Sequence, residues 1–210
     1  MIITILTDPS PSATVDAAVA LEQGFKDDHI SIALNPHNNP DLLLARMGAA
    51  VTTAVLDFQC YTASLDGSKV DGVMLVQPPG FEHGVSPNSK GPHTQLAKDL
   101  STPEANKAIE GLKNLFNELE TKAFGPTAVR DTYYVSHLAT APWAAGHGVG
   151  GQLLKAIIER ATKEGVPVTL VTMTPRHEEY YKRYGFTTKH YMTYDLNGTP
   201  TEWWAMSTDL

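Results

Sequence analysis

The chain has 210 residues, of which 42% are apolar, a formal net charge of −7 and a single cysteine. That length and apolar content suit one sizeable core, so residues 1–210 are read as one domain, and Cys60 on its own excludes an internal disulfide and a cysteine-rich zinc site. The acidic balance disfavours a nucleic-acid partner, which needs a basic surface to displace counterions, and mildly favours cationic partners.

The first residues, Met1-Ile-Ile-Thr-Ile-Leu6, lack a basic leader and are too short for a signal peptide or a membrane span, so they read as a first strand of a soluble, cytoplasmic protein. A helix is expected from about Ser12 to Phe25, capped at Ser10 or Ser12, with Val15, Ala18, Val19 and Leu21 toward the core. Asn35 to Pro40 reads as a loop, and a second helix runs from about Asp41 to Phe58. Strands at Gln59–Ser64 and Val70–Val76 join at Asp66-Gly67 as an antiparallel hairpin. From Gln77 to about residue 95 prolines and glycines crowd the chain, as in a surface loop long enough to act as an active-site lid, and Glu82 there is one candidate base. A helix from Pro103 to Ala123 leads to a strand from Thr132 to Ala139.

The glycine-rich segment after that strand carries the most chemical information. Gly146, Gly148, Gly150 and Gly151 crowd the start of a helix, about residues 148 to 164, whose Leu153, Leu154, Ile157 and Ile158 mark one buried face. Glycines there permit positive φ, and the unpaired N–H groups of a helix start suit a pyrophosphate. Neither common nucleotide fingerprint fits. Gly150-Gly151-Gln152 has no lysine or hydroxyl for a Walker-type loop, and the turn lies too late in the chain for a dinucleotide fold. A strand, Val168–Thr172, a helix opened by Pro175, and strands around Tyr191–Tyr194 and Trp203–Ser207 joined at Asn197-Gly198 complete the chain.

Leu138-Ala139-Thr140-Ala141-Pro142 followed by Ala145-Gly146-His147-Gly148-Val149-Gly150, and further on Tyr180-Tyr181-Lys182-Arg183-Tyr184-Gly185-Phe186, resemble the two motifs of the GNAT superfamily of acetyl-CoA-dependent N-acetyltransferases. Ala145 stands where the family usually has Arg or Gln, and His177 where related enzymes commonly carry Asn. The resemblance implies a mixed α/β fold: a central, mostly antiparallel twisted sheet with helices on both faces. It implies acetyl-CoA as cosubstrate, no metal, and a primary amine as acceptor. A small-molecule amine is favoured, because no basic tail or reader module points to a protein substrate. The alternatives are a peptide or protein N-acetyltransferase and a catalytically silent acyl-CoA-binding sensor or structural protein; a homodimer is common among similar proteins.

By the same resemblance the cofactor would be held by backbone groups of Leu138, Ala139 and Thr140 on the strand and of Ala145, Gly146, His147, Gly148, Val149, Gly150 and Gly151 in the loop, by Thr174 where the next strand splays, and by Tyr181 and Arg183 on the last helix. Lys182 is an alternative cation for the 3′-phosphate. Tyr181 is in register with the usual general acid. The positions where some members carry a strand base hold Tyr134 and Ser136, neither a good base near neutrality. His137 titrates in the useful range, but strand alternation points it away from Tyr134 and Ser136 unless a bulge intervenes. A base reached through ordered water, or a carboxylate from the early helices or the lid, stays open. Trp143 is expected to pack on the cofactor, and Trp203 and Trp204 to face opposite sides of the last strand.

Overall fold

Apolar, β-branched runs build one sheet and amphipathic helices cover it. The computed structural model describes residues 1–81, 92–127 and 130–209. In chain order the elements are β1 (Ile2–Leu6), α1 (Pro11–Phe25), α2 (His29–Leu34), α3 (Pro40–Asp57), β2 (Gln59–Ser64), β3 (Gly72–Gln77), α4 (Pro92–Asp99), α5 (Pro103–Phe124), β4 (Tyr133–Thr140), α6 (Val149–Glu164), β5 (Val168–Thr172), α7 (Pro175–Lys182), β6 (Phe186–Leu196) and β7 (Thr199–Thr208), with a 3-10 turn, Pro142–Ala144, ahead of α6.

The strands lie in the order β1-β2-β3-β4-β5-β7-β6. All neighbours are antiparallel except β4 and β5, which run parallel. This is the mixed, mostly antiparallel sheet expected from the sequence, and helices cover both of its faces. On one face Leu153, Leu154 and Ile157 of α6 pack with Met74, Tyr133, Val135, Leu170, Phe186 and Trp204. On the other, α1 and α3 bury Leu21, Leu43, Met47 and Val51 against Cys60, Val73, Leu75 and Ala139. Beyond them α5 lays Leu112, Leu115 and Leu119 on Trp203 and Ala205. Trp203 and Trp204 thus face opposite sides, as alternation requires, and both are buried.

The six-residue α2 and the helix α4 escape a periodicity reading. The first is too short to show a stripe, although Asp28 caps it by accepting from the N–H groups of Ile30 and Ser31 at 2.9 and 3.3 Å. The second starts inside the stretch expected to be a lid; Gln77 belongs to β3 at the other end, and Glu82 lies outside the described residues.

Two irregularities of β4 shape the end of the sheet nearest α6. Leu75 of β3 faces His137 and Val76 faces Val135, so Ser136 is an extra residue, a β-bulge. Before it, Tyr133 and Val135 face α6; after it, Leu138 does, and Ala139 packs with α1. The bulge therefore turns His137 to the face of Tyr134, and the expectation from plain alternation is corrected. The second irregularity is that β4 and β5 pair only from Tyr133 to Val135, although both strands continue, so they splay.

Candidate active site

The splay opens a cleft of about 770 Å³ between the end of β4, the start of α6 and helix α7. Leu138, Thr140, Ala145, Gly146, Gly148, Val149, Gly150 and Gly151 line one side, and Tyr181 and Arg183 the other. The helix start there is uncapped: Gly148, at φ +75, offers no side-chain hydrogen bond to the first turn of α6. Its N–H groups thus remain available to an anion.

The four glycines divide into two kinds. Gly146 and Gly148 have positive φ with open space where a Cβ would stand, so they are needed for conformation. Gly150 and Gly151 lie inside α6 and are needed for fit. A Cβ on Gly150 would stand 3.1 Å from the Tyr180 hydroxyl, and one on Gly151 would collide with the hydroxyl of Tyr184. The helix start is thereby keyed to the tyrosine cluster of α7, where Tyr180 packs on Tyr181 and Tyr184 with ring centroids 5.4 and 5.1 Å apart.

Three residues of the expected cofactor set, read there mainly for their backbone, have side chains that are engaged or placed away from the cleft. The Ala139 side chain is buried on the α1 side, because the bulge shifts the alternation. His147 is exposed, its Nδ1 3.1 Å from the Ala145 carbonyl, and is not part of the cleft lining. Thr174 is the N-cap of α7, its hydroxyl accepting from the His177 N–H at 3.1 Å. Trp143 also differs from expectation: it donates to buried Asp71 at 2.9 Å, with the Lys69 ammonium 4.9 Å over its ring. Lys182 is engaged by Glu178 and Glu179 at 3.1 and 2.8 Å. Arg176, at the start of α7, lines the cleft instead, so the cationic pair at the cleft is Arg176 and Arg183.

Tyr181 is half-buried and packs edge-on to Phe186 at 5.7 Å. Burial raises its pKa and keeps the phenol protonated.

A second cavity, about 590 Å³ and mostly apolar, adjoins the cleft, and Phe25, Asp28, Ile30, Phe116 and Ser136 line both. His137 stands in it, half-buried, its Nδ1 3.1 Å from the Ser136 hydroxyl and its ring 5.5 Å from Phe25. Burial pushes its pKa down to about 4, so the imidazole is neutral near pH 7 and weakly basic.

Glu120 of α5 lines the same cavity and is the residue that sequence reasoning missed. It is 5% exposed, and burial pushes its carboxyl up to about 7, opposed by a hydrogen bond from the Tyr134 phenol. Tyr134, itself buried beside that carboxylate, is held strongly in its protonated form. The strand position that lacks a base is thus a phenol bonded to a carboxylate supplied from α5. A signal existed in the sequence: Glu120 follows Leu112 and Phe116 at helical spacing and interrupts an apolar stripe with an acid.

Among the described residues no group of three or more His, Cys, Asp or Glu side chains could hold a metal, and no helix is long and apolar enough to cross a membrane. Buried Cys60 has its pKa pushed up to about 12, far from a reactive thiolate.

No curated protein sequence matches the chain significantly. Among solved structures it is similar over 99% of its length to 96% of a protein from Corynebacterium glutamicum described as histone acetyltransferase HPA2 and related acetyltransferase, at 19% identity and a TM-score of 0.63. It is similar over its whole length to all of mosquito arylalkylamine N-acetyltransferase like 5b, at 15% identity and a TM-score of 0.63. The C-terminal condensation domain of Ebony, solved with beta-alanyl-dopamine, superposes with a TM-score of 0.70 at 9% identity, covering all of this chain and 98% of that one. At these identities the likeness establishes the fold. Residues 84–199 match the sequence profile of the acetyltransferase (GNAT) domain, more than half of the chain, and the protein belongs to the GNAT acetyltransferase family.

Proposed function

We propose that the protein moves the acetyl group of acetyl-CoA to a primary amine of a small molecule, by direct attack within a ternary complex. The observation that carries this reading is the junction of the two cavities: a cleft with an uncapped helix start opens, along Ser136, into a mostly apolar pocket holding a buried carboxylate of pKa about 7. The cleft fits the cosubstrate's charges, since the N–H groups of Gly146 and of residues 148–151 can take the pyrophosphate and Arg176 and Arg183 the remaining phosphate charge. Bound there, acetyl-CoA supplies a thioester carbonyl open to attack.

Glu120 then serves as general base. With a pKa near the working pH it is ionised often enough to accept, and basic enough to hold, the proton that the amine nitrogen sheds on forming its bond to the carbonyl carbon. Tyr134 orients that carboxylate by donating to it. On the cleft side the Tyr181 hydroxyl gives a proton to sulfur as the carbon–sulfur bond breaks, and is recharged from solvent. Ser136 sits at the mouth between the cavities and His137 beside it in the second, where they can hydrogen-bond the incoming amine.

A silent acyl-CoA binder would need neither an acid in the cleft nor a base in the adjoining pocket. Calorimetry with acetyl-CoA and CoA, followed by thiol release over a panel of amines, tests the reading. Binding with amine-dependent release supports it, binding without release favours a sensor, and no binding overturns the role of residues 146–151.

A further inference from the structure

The acceptor cavity is polar at both ends and apolar between, and its two ends carry opposite charge. Helix α5 is the ruler: Ile109, Leu112, Phe116 and Glu120 all face the cavity, a span of about 16 Å at 1.5 Å rise per residue. At the C-terminal end of α5, next to the cleft, stand the carboxyl groups of Glu120 and Asp28. Toward the other end stands Arg46 of α3. Its Nη2 donates to the Ser101 hydroxyl at 3.2 Å, and that hydroxyl donates in turn to Asn106 at 2.8 Å, which places the guanidinium near the start of α5. Lys113 adds a second cation at the rim, 2.7 Å from Glu110. Leu43, Met47, Leu112 and Phe116 fill the walls between the ends.

Among the described residues Arg46 is only partly satisfied. Its Nε is buried and has no hydrogen-bond partner among the described residues, and no carboxylate there pairs with it. A buried guanidinium N–H without an acceptor is costly, and a rigid fork of donors matches the paired oxygens of a carboxylate or a phosphate, of which the carboxylate is the smaller and less hydrated.

We propose that the acceptor is a zwitterion of the ω-amino acid type, a primary amine joined by an apolar chain or ring to a carboxylate, with the amine at Glu120 and the carboxylate at Arg46. The inference rests on the acetyl-transfer reading and names the substrate class for it. The opposed charges set the orientation, since the reversed molecule would put its carboxylate beside Asp28 and Glu120. The apolar middle excludes short, strongly hydrated amino acids, which cannot reach both ends.

The test compares 8-aminooctanoate with octylamine, which share a chain and differ at its far end, in the wild type and in Arg46→Met, with thiol release as readout. The expected result is a wild-type kcat/KM at least tenfold higher for 8-aminooctanoate, lost in Arg46→Met mainly through KM, while the octylamine value stays within about threefold. Arg46→Lys should restore part of the preference, which a merely structural arginine would not do. Equal use of both amines by the wild type, or equal losses for both in Arg46→Met, would overturn the substrate class and leave acetyl transfer standing. If acetyl-CoA binds and no amine of a broad panel releases thiol, the transfer reading falls and this inference with it.

Discussion

Replacing Glu120 by Gln separates two consequences of one buried carboxyl. The side chain keeps its shape and can still bond to Tyr134, but it cannot take a proton, so kcat/KM at pH 7 should fall by about a hundred- to a thousandfold, the range for loss of a general base. The same change should make the protein more stable. Glu120 titrates near 4.5 when unfolded and near 7 when folded, so the native state binds the proton more tightly and stability declines as pH rises between those values. At about 1.4 kcal/mol per pH unit, the carboxylate costs about 3 kcal/mol once both states are ionised above pH 7, and the glutamine variant escapes that cost. The neighbours bearing on the group are Tyr134, bonded to it, with His137, Asp28, Lys113 and Arg46 lining the same cavity. Urea unfolding at pH 4.5 and pH 8 should therefore show near-equal stabilities for variant and wild type at the lower pH and a clear advantage of the variant at the higher. The wild-type rate should rise with pH through about 7, and the variant should lose that inflection. An unchanged rate, or an inflection that survives, would remove Glu120 from the chemistry. A variant that is less stable at pH 8 would refute the burial argument.

Three further substitutions address other parts of the site. Tyr181→Phe should lower kcat by about ten- to a thousandfold and leave acetyl-CoA affinity within a few-fold by calorimetry, as expected for loss of an acid that acts only in the transition state. Gly151→Ala should cost about 1–3 kcal/mol of stability in urea and weaken acetyl-CoA binding, because the new methyl displaces Tyr184 and with it the α7 wall of the cleft; unaltered affinity would show that the cleft does not depend on that fit. Asp71→Ala strands the Leu65 N–H and the Trp143 indole, which Asp71 accepts at 2.7 and 2.9 Å, and should lower stability by about 1–3 kcal/mol while loosening the turn ahead of α6, measurable as faster amide exchange there.

The sequence is most legible where function constrains local backbone. The glycines from 146 to 151, the run Tyr180–Phe186 and the periodic face of α6 mark the walls of the cleft in the sequence itself, because each states a local requirement of turn, cap or stripe. What stays hidden depends on partners distant in the chain. The bulge at Ser136 is set by how β3 pairs with β4, and no residue of β4 alone announces it, so plain alternation puts His137 on the face opposite Tyr134. Glu120 is separated from the cavity mouth at Ser136 by the whole connection between α5 and β4, and only packing brings its carboxyl under Tyr134. The partners of Thr174 and Trp143 are hidden as well: the first accepts from the His177 N–H as the cap of α7, and the indole of the second donates to Asp71, far back in the chain.

The fit between α6 and α7 also constrains how chains of this kind can diverge. Tyr184 occupies the space that a side chain at 151 would need, and Tyr180 presses on position 150. A larger residue at 151 has room only if Tyr184 moves or is replaced by a smaller residue, and without that tyrosine the position would be free to carry a side chain. Substitutions at these positions should therefore travel together through descent, and a chain altered at one member alone should carry a misshapen cleft between α6 and α7 even where the rest of its lining is unchanged.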